Sequence, residues 1–233
     1  MDSLYEVYRR AYPIERVPQM GRGWVETIRS LGTQSVRYTD PSLTGGLVFP
    51  KEQYFMESFL KSYFCLMFPI GMWGHLTGFG LRSVQHKGFK TYSTHFLIYT
   101  SWAAYRDRGR FRYGTPIVLC EGVKDTEVVS QFWPFTFAYL TAGVSRRVAE
   151  FLSYFTNRVL VIPDNDDAGA TGSRRSLKNL KRFNIDAWCC PVQHWGDIAA
   201  VYEDAFYDKA PAAATELRRI RARIQAFTGD PIC

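Results

Sequence analysis

The chain has 233 residues, 46% hydrophobic and 16% aromatic, which suits one large domain or two small ones and excludes wholesale disorder. Its formal charge of +7 is uneven: residues 1–115 carry fifteen Lys/Arg against eight Asp/Glu, and residues 116–233 carry fourteen of each. Five cysteines without a CxxC or CxxH spacing exclude a structural zinc site and a disulfide framework, and the longest apolar-looking stretch, Tyr63 to Trp73, is too short to cross a bilayer.

The N-terminus, Met1-Asp2-Ser3-Leu4-Tyr5, lacks the basic flank and apolar core of a secretory signal, so a cytoplasmic location with reduced thiols is expected. Residues 1–45 are aromatic and basic, with one helical stretch at Glu26 to Leu31. Residues 46–115 read as antiparallel β with turns. Leu47-Val48-Phe49 runs to Pro50, and Tyr63 to Phe68 runs to Pro69. A glycine-dense segment follows from Gly71 through Gly74, Gly78 and Gly80 to Arg82, the composition of strands with close backbone approaches. Phe96 to Tyr105 suits a short helix.

From Pro116 onward strands alternate with helices. Apolar runs fall near 117–121, 136–140, 158–163 and 185–190, and helices are expected near 124–132, 145–156 and 167–183. In the third helix Asp166 or Asp167 can cap the start, and Leu177, Leu180 and Phe183 share a face. Arg174, Arg175, Lys178, Lys181 and Arg182 load its outer face and last turns with cations. Cys120, Cys189 and Cys190 lie in apolar runs, where buried thiols are ordinary. Pro211 to Phe227 reads as an amphipathic helix. The expected fold class is α/β, or α+β overall: a basic N-terminal α+β subdomain over 1–115, a mainly parallel sheet flanked by helices over 116–200, and a C-terminal helical segment over 201–233.

Two of the apolar runs end in acids. Ile117-Val118-Leu119-Cys120 delivers Glu121-Gly122-Val123-Lys124-Asp125, and Val159-Leu160-Val161-Ile162 delivers Asp164-Asn165-Asp166-Asp167-Ala168-Gly169. Open α/β sheets place site residues at such strand ends. Two of these strands side by side would gather three or four acids within a few ångströms, a cluster that repels itself unless a hard cation such as Mg²⁺ or Mn²⁺ neutralises it. Magnesium in turn points to phosphate chemistry. An EF-hand would need an oxygen ligand where Ala168 stands and Glu where Arg175 stands, so that reading fails. A phosphotransferase of the D-x-D-x-T kind would want Thr in place of Ala168. Asp125 lies one helical turn after Glu121 and faces the same way. Asp197, after Gly196, is equally suited to be a further ligand or the N-cap of a helix over 198–207.

The order strand–E-G-x-x-D, strand–D-x-D-x-A-G and a later G-D resembles the Toprim domain of primases, topoisomerases and several nucleases. Upstream, Phe68-Pro69-Ile70 with Thr77-Gly78-Phe79-Gly80-Leu81-Arg82, then Lys90-Thr91-Tyr92-Ser93-Thr94 and Phe96-Leu97-Ile98-Tyr99, is similar to elements of DnaG-type primase catalytic cores. Over roughly residues 66–205 the chain thus resembles such a core, of the stand-alone kind found in phage or plasmid replication systems.

That resemblance implies an Mg²⁺-dependent nucleotidyltransferase, a DNA primase that copies single-stranded DNA into short RNA from ribonucleoside triphosphates. It implies Asp164 and Asp166, with Asp125 and Asp197, as metal ligands, and Glu121 as a ligand or as manager of the proton of the attacking 3′-hydroxyl. Arg82 and Lys90 match positions that meet template or nucleotide. Phe79, Phe89 and Tyr92 suit either base stacking or core packing. The family's zinc-binding module and helicase segment have no counterpart in the sequence, so a separate helicase or zinc-module protein is an expected partner. A Toprim nuclease and a non-catalytic Toprim nucleic-acid-binding module are the alternatives.

Overall fold

The structure is a computed structural model that describes residues 2–17, 24–73 and 75–229; Gly74 and Cys233 lie outside them. The chain divides into two compact units, residues 1–96 and 97–233.

The first unit holds α1 (Asp2–Arg10), β1 (Tyr12–Pro13), α2 (Trp24–Ser30), β2 (Arg37–Thr39), α3 (Tyr54–Ser62), β3 (Cys65–Met72), β4 (His75–Ser83) and β5 (Phe89–Ser93). Its five strands form one antiparallel sheet in the order β1-β2-β3-β4-β5. Strand alternation sends Cys65, Met67, Phe79 and Leu81 to one face, where they pack with Leu4 and Val7 of α1 and with Met56, Phe59 and Leu60 of α3. The antiparallel reading holds, and α2 lies where a helix was expected. Two expectations fail. Leu47-Val48-Phe49 is not a strand: Phe49 is buried in the α1–α3 core while Val48 faces out, and the run leads into a turn before α3. Strand β3 does not stop at Pro69; it runs on to Met72, with a register shift between Ile70 and Gly71. A bulge of this kind keeps two strands paired past an irregular residue.

The second unit holds β6 (Tyr99–Thr100), α4 (Trp102–Arg106), β7 (Ile117–Cys120), α5 (Val123–Ser130), β8 (Thr136–Ala138), α6 (Arg146–Ser153), β9 (Arg158–Ile162), α7 (Asp167–Arg182), β10 (Asp186–Cys189), α8 (Ile198–Phe206) and α9 (Pro211–Thr228). The sheet order is β10-β9-β7-β8-β6; the first four strands are parallel and β6 is antiparallel to β8. Both central strands are apolar along most of their length because parallel sheets are covered on both faces. All four expected strands and all three expected helices are present. The helix expected over Phe96 to Tyr105 starts only at Trp102, after Ser101 caps it by accepting the Ala104 N–H, and Tyr99–Thr100 are spent on pairing with β8.

That pairing draws residues 97–115 into the second unit, so the expected boundary at 115/116 falls inside it, and the one at 200/201 falls inside α8. The charge division shifts accordingly. Arg106, Arg108, Arg110 and Arg112 belong to the second unit, so the basic excess is shared between the two.

Helix α7 begins with Asp166, whose Oδ1 accepts the Gly169 N–H at 2.6 Å. Its buried stripe is Gly169, Gly172, Ser173, Ser176 and Leu180, small residues that bring the helix close to its neighbours; Leu177 and Phe183 are only half-buried. Ser176 accepts the Val144 N–H at 2.8 Å and Asn179 donates to the Val144 carbonyl at 2.7 Å, which pins the loop before α6 to this helix. Helix α9 starts on Pro211 and ends at Gly229, whose φ of 71° is the left-handed turn that glycine favours. Because β10 is an edge strand, Trp188 and Cys189 face outward, against the expectation of a buried Cys189.

Candidate metal centre

In the second unit β7 runs through α5 to its neighbour β8, and the chain then returns through α6 to β9 on the other side of β7. Connections that leave adjacent strands in opposite directions open a crevice at the strands' carboxyl ends, the place where open α/β sheets hold ligands. Cys120 lies opposite Ile162 in the parallel register of β7 and β9. Glu121 therefore leaves one strand end and Asp164 the next, at strand spacing.

Helix starts bring in the rest. Asp125 stands on the first turn of α5, directly after the Glu121-Gly122 turn, and is buried. Its Oδ1 accepts the Ala199 N–H at 3.1 Å, at the start of α8. Its Oδ2 lies against Gly122, where an added Cβ would stand 2.6 Å from it. Asp166 caps α7, and Asp197 caps α8 by accepting the Ala200 N–H at 2.6 Å. Of the two roles open to Asp197, the structure displays the cap. The Asn165 N–H donates to the Gly196 carbonyl at 2.7 Å, which ties the Asp164–Asp166 loop to the loop that carries Asp197. Gly169 lets α7 close onto this loop: a Cβ there would stand 2.1 Å from the Asp164 carbonyl oxygen.

These acids act on one another. Burial, and then the charges of Asp125, Glu121, Asp197 and Asp166, push the Asp164 carboxyl up to about 8. Burial and the Asp197 charge raise Asp125, against the pull of Lys124 and of the Ala199 N–H. Burial and the Asp166 charge raise Glu121. Lys124 offsets the group only in part, because its Nζ is also paired with Glu203 at 2.9 Å.

The expected closeness is only partly met. Among the described residues no three His, Cys, Asp or Glu side chains stand together as a ready ligand set for a metal ion. The hydrogen bonds show what three of these carboxylates do instead: Asp125, Asp166 and Asp197 each accept a helix N–H. The donor chemistry nevertheless fits a hard divalent cation. The groups are all carboxylates: Asp125 is buried, Glu121, Asp164 and Asp197 are half-buried and Asp166 is exposed, and each capping carboxylate retains a second oxygen.

Arg82 and Lys90 lie in the first unit and do not act as a pair. Arg82 on β4 is opposite Phe89, and Lys90 on β5 is opposite Leu81, so the two side chains leave opposite faces of the sheet. Lys90 is exposed. Arg82 is half-buried, with its guanidinium 5.4 Å from the Trp24 ring centre and Nη1 donating to the Lys87 carbonyl at 2.9 Å. Its Nε is buried without a partner, and burial lowers its pKa. Phe79 is a core residue, Tyr92 packs against the same core, and Phe89 stacks on Phe68 at 5.8 Å.

The sequence reading missed Tyr139. It follows β8, is 1% exposed, and has a buried hydroxyl with no hydrogen-bond partner among the described residues. Burial and the charges of Glu121, Cys120, Asp164 and Asp125 raise its pKa. An aromatic residue at a strand end reads as core, so no sequence signal marks it.

No family model matches this chain, and no curated protein matches it by sequence. Solved structures do match. A DnaG catalytic core aligns at a TM-score of 0.64 with 14% identity, over 92% of this chain and 79% of that one. A DNA primase domain from Pseudomonas aeruginosa aligns at 0.63 with 17% identity, over 91% and 77%. A DnaG primase catalytic domain bound to single-stranded DNA aligns at 0.60 with 17% identity, over 94% and 78%. The chain therefore has the fold of a DnaG primase catalytic core.

Proposed function

We propose that this chain is a primase-type nucleotidyltransferase that assembles short RNA on single-stranded DNA from ribonucleoside triphosphates with Mg²⁺ or Mn²⁺. The observation that carries the reading is that Glu121 and Asp164 follow adjacent strand ends, with Asp125, Asp166 and Asp197 at the helix starts around the same crevice, in a sheet whose fold matches DnaG cores. One solved relative in fold is bound to single-stranded DNA, which supports that template here.

Asp164 and Asp166 would hold the cation, with Glu121, Asp125 and Asp197 adding oxygens or negative field. The ion would supply charge neutralisation at the phosphates of the reacting nucleotide. The protein's part is to hold the acids at the end of a stiff sheet, so that a nucleotide arriving with its cation would meet them in place and displace the protons that burial favours. Glu121, whose affinity for a proton is raised, is suited to take one from an attacking hydroxyl. Lys90, exposed on β5, is suited to meet phosphates of template or nucleotide. On this reading the parallel sheet and its helices are a Toprim domain, the protein works in the cytoplasm, and a separate helicase or zinc-module protein selects the start site. Among the described residues no helix is long and apolar enough to cross a membrane.

The test is incubation with single-stranded DNA, Mg²⁺ and labelled ribonucleotides, with Glu121→Gln and Asp164→Asn as controls, repeated with a replicative helicase. Labelled oligomers from wild type alone support the primase. Shortened DNA would identify a nuclease, and a gel shift with neither product a binding module.

A further inference from the structure

Tyr139 sits where the β8 and β7 ends are laced together. Its N–H donates to the Cys120 carbonyl at 3.1 Å, and the next N–H, of Leu140, donates to the Glu121 carbonyl at 3.1 Å. The phenol therefore starts from the backbone position beside Glu121, at the crevice end of the sheet. Among the described residues it is one of the largest fully buried side chains, yet its hydroxyl has no partner there. Buried hydroxyls are almost always satisfied, and an orphan costs the folded state its desolvation. The groups that act on it are Glu121 first, then the Cys120 thiol, then Asp164 and Asp125.

We propose that Tyr139 is a positioning residue of the metal centre: when a divalent cation draws the acids together, its hydroxyl donates to a carboxylate oxygen of the pair Glu121 and Asp164 and fixes the direction in which that carboxylate faces the ion. This rests on the metal reading above. Partners of this kind, which hold a ligand without touching the metal, restrict its rotation and raise its affinity. The hydroxyl has no hydrogen-bond partner among the described residues, and on this reading it gains one on loading. Metal binding thereby removes a defect of the fold.

Tyr139→Phe tests this, because it keeps the ring and deletes only the oxygen. Mn²⁺ binding is measured by calorimetry on the full chain, and melting temperature is measured with and without Mn²⁺. Without metal the variant melts no lower than wild type, since the orphan hydroxyl is gone. With metal, its Mn²⁺ affinity falls on the order of tenfold, and the rise in melting temperature on adding Mn²⁺ shrinks. A residue that only fills the core would leave Mn²⁺ affinity unchanged, and equal affinity in the two proteins overturns the proposal. If wild type takes up no Mn²⁺ with nucleotide present, the metal reading itself falls and takes this inference with it.

Discussion

Asp125 Oδ1 accepts the Ala199 backbone N–H at 3.1 Å across seventy-four residues of sequence. This contact joins the first turn of α5 to the first turn of α8, and so brings the acids of two distant segments into one field. Its geometry depends on Gly122, because the other Asp125 oxygen occupies the space a Cβ would fill.

Gly122→Ala places a methyl carbon 2.6 Å from Asp125 Oδ2 unless the buried carboxylate moves. The backbone at Gly122 has a φ of −106°, which any residue adopts, so the clash alone decides the outcome. Overpacking of this kind costs roughly 1–3 kcal/mol. Thermal melts should fall accordingly, and the stabilisation by Mg²⁺ should be lost along with the placement of Asp125. A variant with wild-type stability and an unchanged Mg²⁺ response would contradict this.

The metal-free protein should lose stability as pH rises. Asp164 titrates at its ordinary value of 3.8 when unfolded and at about 8 when folded, so between these limits the folded state holds more protons. Stability therefore falls with increasing pH across that window. Saturating Mg²⁺ should flatten the slope, because a bound cation replaces the proton. Urea midpoints at pH 5 and pH 8, with and without Mg²⁺, measure it; a midpoint that climbs with pH in metal-free buffer would refute the assignment.

Asp164→Asn should separate stability from function. Removing a charge that four other acids oppose should raise the metal-free melting temperature at pH 8 and abolish primer synthesis. Loss of both stability and activity would mean that Asp164 is a structural residue.

Glu127 makes the opposite case, a buried acid far from an orphan state. It accepts the Tyr99 hydroxyl at 2.5 Å and the Trp102 N–H at 2.9 Å, fastening β6 and α4 to α5. Glu127→Ala should cost on the order of 3 kcal/mol by removing the carboxylate that a buried phenol and a helix N–H donate to. Urea unfolding followed by tryptophan fluorescence reads the loss.

Lys90 and Arg82 should answer differently to removal. Lys90→Ala should leave stability unchanged and lower the slope of log affinity for single-stranded DNA against log salt by about 1. Arg82→Ala should lower the melting temperature, since it removes the guanidinium from the Trp24 face and the Lys87 carbonyl. If Lys90→Ala left the salt slope as it is, Lys90 would not be a phosphate contact.

Much of the second unit was legible because its signals are local. A run such as Val159 to Ile162 must be buried on both faces, Asp166 caps the helix that follows it, and Pro211 and Gly229 bound the last helix. These choices are made by residues within a few positions of one another, so the strand ends that carry Glu121 and Asp164 could be located from the order of residues alone. What lay beyond local reach was decided by packing between distant segments. Pro69 did not end β3, because β4 paired with the strand on both sides of it. Residues 97–115 joined the second unit, because Tyr99 found both a strand partner and Glu127. Asp125, Asp166 and Asp197, from three distant segments, turned toward helix N–H groups, so that they came to share an electrostatic field without, among the described residues, a closed ligand set. Tyr139 acquired its significance only when the fold buried it among those acids, since a hydroxyl's need for a partner has no sequence signature.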